Sequence, residues 1–95
     1  MMDQRLQKLR KRIDSCDDIL VKVLGLRFQI ISEVAELKKD LKIPSLDTER
    51  FSQVLHRTKN IAVSEGLDPN LIEEILNPIH KYSLEKIKKW DEESR

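Results

Sequence analysis

Several residue types are scarce in this chain, and each scarcity narrows what it can be. There is one cysteine, Cys16, so no disulfide can form within the chain, and a small apolar side chain packed in a core is its expected role. Aromatic residues make up 4% against 37% charged residues, a balance typical of helical proteins. No apolar run approaches the roughly 18 residues of a membrane span. We therefore expect an all-α, cytoplasmic protein with no membrane partner.

The sequence also lacks the usual marks of several chemistries. With 18 basic and 17 acidic residues the net charge is +1, which does not favour nucleic acid as a partner. His56 and His80 share no metal-ligand spacing with each other or with the cysteine, and no glycine-rich phosphate loop is present. No arrangement of a nucleophile beside a base stands out either. The expectation is a protein without a metal or cofactor.

The most prominent feature present is one long amphipathic helix, predicted over residues 3–41. Its apolar positions recur in alternating steps of three and four. They are Leu6, Leu9, Ile13, Cys16, Leu20, Val23, Ile30, Val34, Leu37 and Leu41. Such a helix spans nearly 60 Å, whereas a compact chain of this size has a radius of gyration of about 12–13 Å. One chain cannot cover this seam, so the sequence predicts a homodimer in which two long helices pack together.

Two further helices follow, giving a single domain over residues 1–95. Pro44 marks a turn after the first helix, and Asp47 or Thr48 can cap a second helix over 48–64. Gly66 ends that helix. Asp68 and the proline after it predict the start of a third helix, over 69–90, which contains Pro78.

Arg27 stands where the seam of the first helix should be apolar. Burying an unpaired arginine costs several kcal/mol, so it must meet an anion, either an ion-pair partner such as Glu33 or Asp47, or a ligand. Lys38 lies within roughly 20° of Arg27 on the same helical face, and Arg10 points about 100° away. Arg10 can reach that face from the other chain of a crossed dimer. The three cations fit an anion site at the dimer interface.

Several short motifs in a fixed order resemble the all-helical, AroQ-type chorismate mutases. They are LR near the start of the long helix, LGLR in its middle, ELK near its end, then an IP loop, DTER and the third helix. The resemblance covers residues 5 to 90. It implies an intertwined all-α homodimer, without cofactor, that rearranges the dianion chorismate to prephenate in aromatic amino acid biosynthesis.

Taken position by position, the resemblance also implies site residues. Arg10 matches the arginine donated by the partner chain, and Arg27 the one that binds a substrate carboxylate. Lys38 matches the lysine at carboxylate and ether oxygen, and Asp47 the acidic residue of the loop that meets the substrate. Ser83 matches the serine that holds a carboxylate.

Two positions depart from the family pattern. Phe51 stands where many members have a glutamate that recognises the substrate's 4-hydroxyl, and Ile87 replaces a glutamine that donates to the ether oxygen. Helical phase places Lys86, not Ile87, near the centre of the third helix's inner face, so Lys86 is a candidate for the glutamine's role.

These departures keep other functions open. The third helix and the apolar residue after ER also resemble the isochorismate-pyruvate lyases, and the missing glutamate suits a 4-amino-4-deoxychorismate mutase. From another class, the chain could be a catalytically silent helical dimer that serves as a binding or interaction module, with Arg27 as an interchain ion pair.

Overall fold

A computed structural model describes residues 3–44 and 47–93 of the chain. Within these ranges there are three helices, α1 (Gln4–Asp40), α2 (Thr48–Ser64) and α3 (Pro69–Glu93), and no strand. The all-α fold with a very long first helix is therefore confirmed. Helix α3 continues three residues beyond its expected end and runs through Pro78 without a break. Residues 45 and 46, in the turn expected after Pro44, lie outside the described residues.

Contacts divide the chain into two compact units, Met1–Glu33 and Val34–Arg95. In the first unit, α1 begins with a capping interaction: Asp3 accepts a hydrogen bond from the backbone N of Arg5 at 2.7 Å and forms an ion pair with the Arg5 guanidinium at 2.8 Å. The side-chain bond from Arg5, and then its backbone N–H, hold the pKa of Asp3 below its ordinary value of 3.8. The charged carboxylate therefore fixes the first turn.

The apolar seam of α1 is exposed. None of the 37 residues of this helix, all of them described, is buried in the single chain. Leu20 keeps 59% of its surface accessible and Leu9 52%. Cys16, expected in a packed core, is exposed as well. Since exposing so much apolar surface to water is unfavourable, the seam has the character of an interface.

The second unit is built around an antiparallel pair formed by α2 and α3. Lys59 forms a 3.2 Å ion pair with Glu73, and Phe51, further back along α2, meets His80, further on along α3. Val54 and Ala62 of α2 are the buried apolar residues of this pair among the residues described. At the far end of the unit, Lys39 and Asp91 form an ion pair at 3.6 Å, which joins the last turn of α1 to the end of α3.

Local chemistry sets most of the helix ends. Asp47 caps α2 by accepting from the backbone N of Arg50 at 3.0 Å, and Asp68 caps α3 by accepting from the backbone N of Asn70 at 2.9 Å. The end of α2 follows a Schellman pattern with Gly66 at a φ of 75°. The end of α1 has the same pattern, but Lys42 takes the left-handed position, with a φ of 57°.

None of the helices in the described ranges combines the length and the apolarity that crossing a membrane requires.

Candidate functional site

Six of the eight predicted site residues lie in the second unit. Lys38 is in the last turn of α1, and Asp47 and Phe51 lie at the start of α2. The other three are in the second half of α3: Ser83, Lys86 and Ile87. The Phe51–His80 contact joins the start of α2 to the middle of α3, and the Lys39–Asp91 ion pair joins the last turn of α1 to the last turn of α3. The six residues therefore lie on three stretches that are linked through the second half of α3.

Lys38 is half-buried at the end of α1. Its backbone carbonyl accepts a hydrogen bond from the backbone N of Ile43 at 2.9 Å, so the turn after the helix is tied to the lysine itself. Unsatisfied carbonyls give the end of a helix a partial negative charge, which stabilises the ammonium there. The structure places this cation in the last turn of α1, next to Lys39, which pairs with Asp91 of α3.

Asp47 is exposed and caps α2 through its Oδ1 atom. The helix-cap interpretation of this residue is therefore confirmed. The hydrogen bond from Arg50 holds the carboxylate at the N-terminus of α2. A contact with a ligand would be an additional role for the same side chain.

Phe51 and His80 stack face to face, with ring centroids 3.7 Å apart and planes inclined by 4°. Both side chains are half-buried between α2 and α3. From the sequence, His80 was a candidate only for metal binding, and its contact with Phe51 was not predicted. The signal was present: Phe51 lies fifteen residues before Gly66 and His80 fourteen after it, so a hairpin turning at Gly66 brings them level.

Ser83 is the buried polar residue of α3, with 4% of its surface exposed. Its Oγ donates a hydrogen bond to the carbonyl of Ile79 at 2.9 Å. This bond satisfies the hydroxyl within its own helix, as serine and threonine often do in helix interiors. To donate to a bound carboxylate, the hydroxyl must rotate away from Ile79.

Lys86 and Ile87 are both half-buried on α3. The ammonium of Lys86 lies 5.6 Å from the centroid of the Tyr82 ring, within the range of a cation–π interaction. A long, flexible side chain in such a position can leave the ring at modest cost. Which of the two residues meets a ligand stays a prediction.

Arg10 and Arg27 lie in the first unit. Arg10 is exposed, and Arg27 is half-buried, with the Nη1 atom of its guanidinium shielded from solvent. The contribution of both arginines to a site stays a prediction.

The six residues of the second unit offer two cations, one hydroxyl donor, one carboxylate and two apolar side chains. Side chains such as those of Lys38, Lys86 and Ser83 can bind carboxylates and stabilise negative charge that develops on an oxygen. Among residues 3–44 and 47–93, no group of three or more His, Cys, Asp and Glu side chains could hold a metal ion. The fold is that of a small helical protein, and the side-chain types include ones that can bind an organic anion.

Comparison with known proteins identifies the family to which this helical protein belongs. The family model for chorismate mutase type II matches residues 9–88, which is most of the chain. The chain belongs to this family, as its sequence motifs predicted. No solved structure gives a significant match.

Three relatives illustrate the breadth of the family. The chain is 33% identical over 82 residues to the T-protein of Enterobacter agglomerans, covering 86% of this chain and 22% of that protein. It is 31% identical to the chorismate mutase of Methanocaldococcus jannaschii, covering 74% and 71% of the two chains. It is 27% identical to the 4-amino-4-deoxychorismate mutase of Streptomyces pristinaespiralis, covering 78% and 57%. The chain thus spans about a fifth of the T-protein and most of the Methanocaldococcus protein.

Proposed function

We propose that this protein catalyses the [3,3] rearrangement of chorismate to prephenate, as a homodimer. The observation that carries the proposal is the family match over residues 9–88, which includes the cations of both units. Lys38, half-buried in the last turn of α1, is the first cation that we assign to the reaction. No metal or nucleophile enters the chemistry.

In this rearrangement the ether C–O bond of chorismate breaks while a C–C bond forms, within one molecule. The enzyme must hold the dianion in a compact conformation and stabilise the negative charge that develops on the ether oxygen. Arg27 and Ser83 bind the carboxylates, and Arg10 of the partner subunit completes the binding. Arginine suits this task because its planar fork pairs both carboxylate oxygens.

Lys38 and Lys86 are proposed to act on the ether oxygen. Lys38 donates to a carboxylate and to that oxygen. Lys86 leaves the ring of Tyr82 and takes the place of the glutamine that Ile87 replaces. An ammonium beside an oxygen that gains charge is more favourable in the transition state than in the substrate, which is the condition for a rate increase.

The proposal of a dimer is supported by the small number of residues that a single chain buries. Among the described residues only Val54, Ala62 and Ser83 are buried, which is too small a core for a stable domain of this length. The exposed seam of α1 offers a second copy the apolar surface that is missing. Two α1 helices packed along each other would bury it.

A second candidate activity is 4-amino-4-deoxychorismate mutation. Phe51 presents an aromatic ring stacked on His80, where many members have a carboxylate for the 4-hydroxyl of chorismate. The similarity to the Streptomyces enzyme of that name points the same way. Isochorismate-pyruvate lysis uses the same recognition of a dianion and belongs in the same test.

The direct test is turnover by the purified protein, with chorismate, isochorismate and 4-amino-4-deoxychorismate supplied separately and products separated by chromatography. We expect prephenate from chorismate. Pyruvate and salicylate from isochorismate would move the activity to the lyase. No product from any of the three would mean that the chain is a binding module of the family.

Replacing Arg27 with alanine separates a ligand role from a structural one. If Arg27 binds a substrate carboxylate, Arg27→Ala remains dimeric and loses kcat/KM by about 100-fold or more, as removal of a charged, shielded hydrogen bond predicts. Analytical ultracentrifugation and turnover are measured on the same sample. A variant that becomes monomeric would instead identify Arg27 as an ion pair of the interface.

A further inference from the structure

The parallel stack of Phe51 on His80 fixes an imidazole between the start of α2 and the middle of α3, where two of the stretches that carry candidate site residues meet. The 3.7 Å centroid distance and the 4° angle between planes leave the imidazole little freedom to tilt. Ser83 lies three residues further along α3, hence on the same face of the helix as His80. The imidazole therefore adjoins a residue proposed to bind substrate.

The two rings of the stack differ in what they offer a ligand. Phe51 has no polar side-chain atom. The nitrogens of His80 lie in the plane of its ring, whereas the stack engages a face, so stacking determines the direction in which those nitrogens point. A neutral imidazole has one nitrogen that donates and one that accepts, and it can therefore partner either a hydroxyl or an amino group.

We propose that His80 is a specificity-determining residue that hydrogen-bonds the substituent at C4 of the substrate ring, and that Phe51 positions it. This inference rests on the proposed function. Chorismate offers two carboxylates, an ether oxygen and one further polar group, the substituent at C4. The cations and Ser83 are proposed to serve the first three, and His80, one turn from Ser83, carries ring nitrogens that can donate or accept a hydrogen bond.

Two substitutions of His80 separate its hydrogen bond from its stacking. His80→Phe keeps an aromatic ring against Phe51 and removes the nitrogens, whereas His80→Gln keeps a donor and an acceptor and removes the ring. The readout is the ratio of kcat/KM for chorismate to kcat/KM for an analogue that carries hydrogen at C4. Because it is a ratio, a general loss of packing cancels. The matched control is His56→Phe, at an exposed histidine of α2.

We expect the wild-type protein to prefer chorismate over the analogue by about five- to tenfold, the value of one hydrogen bond to a neutral group. His80→Phe should bring this preference close to one, mainly through the KM for chorismate. His80→Gln should retain only part of it, because its amide can hydrogen-bond but is not held by a stack on Phe51, and His56→Phe should match the wild type. If His80→Phe does not fold, as judged by circular dichroism, the His80→Gln ratio decides.

The outcomes that overturn the inference differ from those that overturn the function. Wild-type protein that turns over neither chorismate nor its 4-amino analogue removes both proposals. Active wild-type protein whose preference survives unchanged in His80→Phe, or in His80→Gln where His80→Phe does not fold, leaves the mutase in place. It would show that His80 serves only to pack against Phe51.

Discussion

At the scale of single residues, Asp47 combines a structural role that is observed with a substrate role that is proposed. Its carboxylate caps α2 by accepting from the backbone N of Arg50. Asparagine caps helices as well as aspartate does but has no charge. The two roles can therefore be separated by choosing the replacement.

Asp47→Asn should leave the unfolding free energy nearly unchanged and lower kcat/KM by roughly tenfold, because only the charge is lost. Asp47→Ala should show the same kinetic loss and also lower the unfolding free energy by about 1 kcal/mol, because the cap is lost. Urea unfolding at a fixed protein concentration and steady-state kinetics give the two quantities.

The matched control is Asp68→Ala, which removes the equivalent cap of α3 away from the site. It should cost about 1 kcal/mol of stability without changing kcat/KM. Equal kinetics for Asp47→Asn and the wild type would leave Asp47 with its capping role alone.

At the scale of helices, the sequence predicted most of what is set locally. Helices α2 and α3 begin where Asp47, and Asp68 followed by Pro69, place caps, because a cap requires only residues within one turn. The end of α3 was expected too early, at Trp90. There Asp91 pairs with Lys39 of α1, more than fifty residues earlier in the chain, and no local signal reports such a contact.

The features of the candidate site also divide into those that the sequence predicts and those that it does not. Positions such as Lys38 and Ser83 could be named from helical phase and family motifs. The stacking of Phe51 on His80, the bond from Ser83 to Ile79 and the placement of Lys86 over Tyr82 depend on side-chain conformations that the sequence pattern does not specify. The stack of Phe51 on His80 is the contact that carries the proposed substrate preference.

The end of α1 provides a prediction at this scale. Lys42 holds the left-handed position of a Schellman motif, which costs a residue with a Cβ atom roughly 1–2 kcal/mol. Lys42→Gly should therefore raise the unfolding free energy by roughly 0.5–1 kcal/mol, after allowing for the greater freedom of glycine in the unfolded chain. Thermal and urea unfolding measure the change.

Lys22→Gly is the opposite case, since Lys22 is an exposed residue in the interior of α1. Here the same substitution should destabilise the protein by about 1 kcal/mol. Destabilisation by both variants would mean that the φ of Lys42 is not strained.

At the scale of the whole molecule, the exposed seam of α1 is the surface on which the proposed dimer depends. Leu20, with 59% of its surface accessible, lies at the centre of that seam. Leu20→Glu would place a charge in the proposed interface, where burying it costs several kcal/mol. Sedimentation velocity should show loss of the proposed dimer, and turnover should fall with it because the proposed site includes Arg10 of the partner subunit.

Lys22→Glu introduces the same side chain about 160° around the helix from Leu20. It should remain dimeric and active. A dimeric Leu20→Glu variant would place the interface on another face of the molecule.

Because α1 is synthesised first, its exposed apolar surface also matters during translation. Nascent chains grow at about 5–20 residues per second, so α1 leaves the ribosome seconds before α2 and α3 follow. None of its residues is buried even when the whole chain is present. Its apolar stripe is therefore accessible early, to a chaperone or to the α1 of a neighbouring nascent chain. Ribosomes closely spaced on one message supply such neighbours, so the proposed dimer can begin to assemble there, before α2 and α3 have been synthesised.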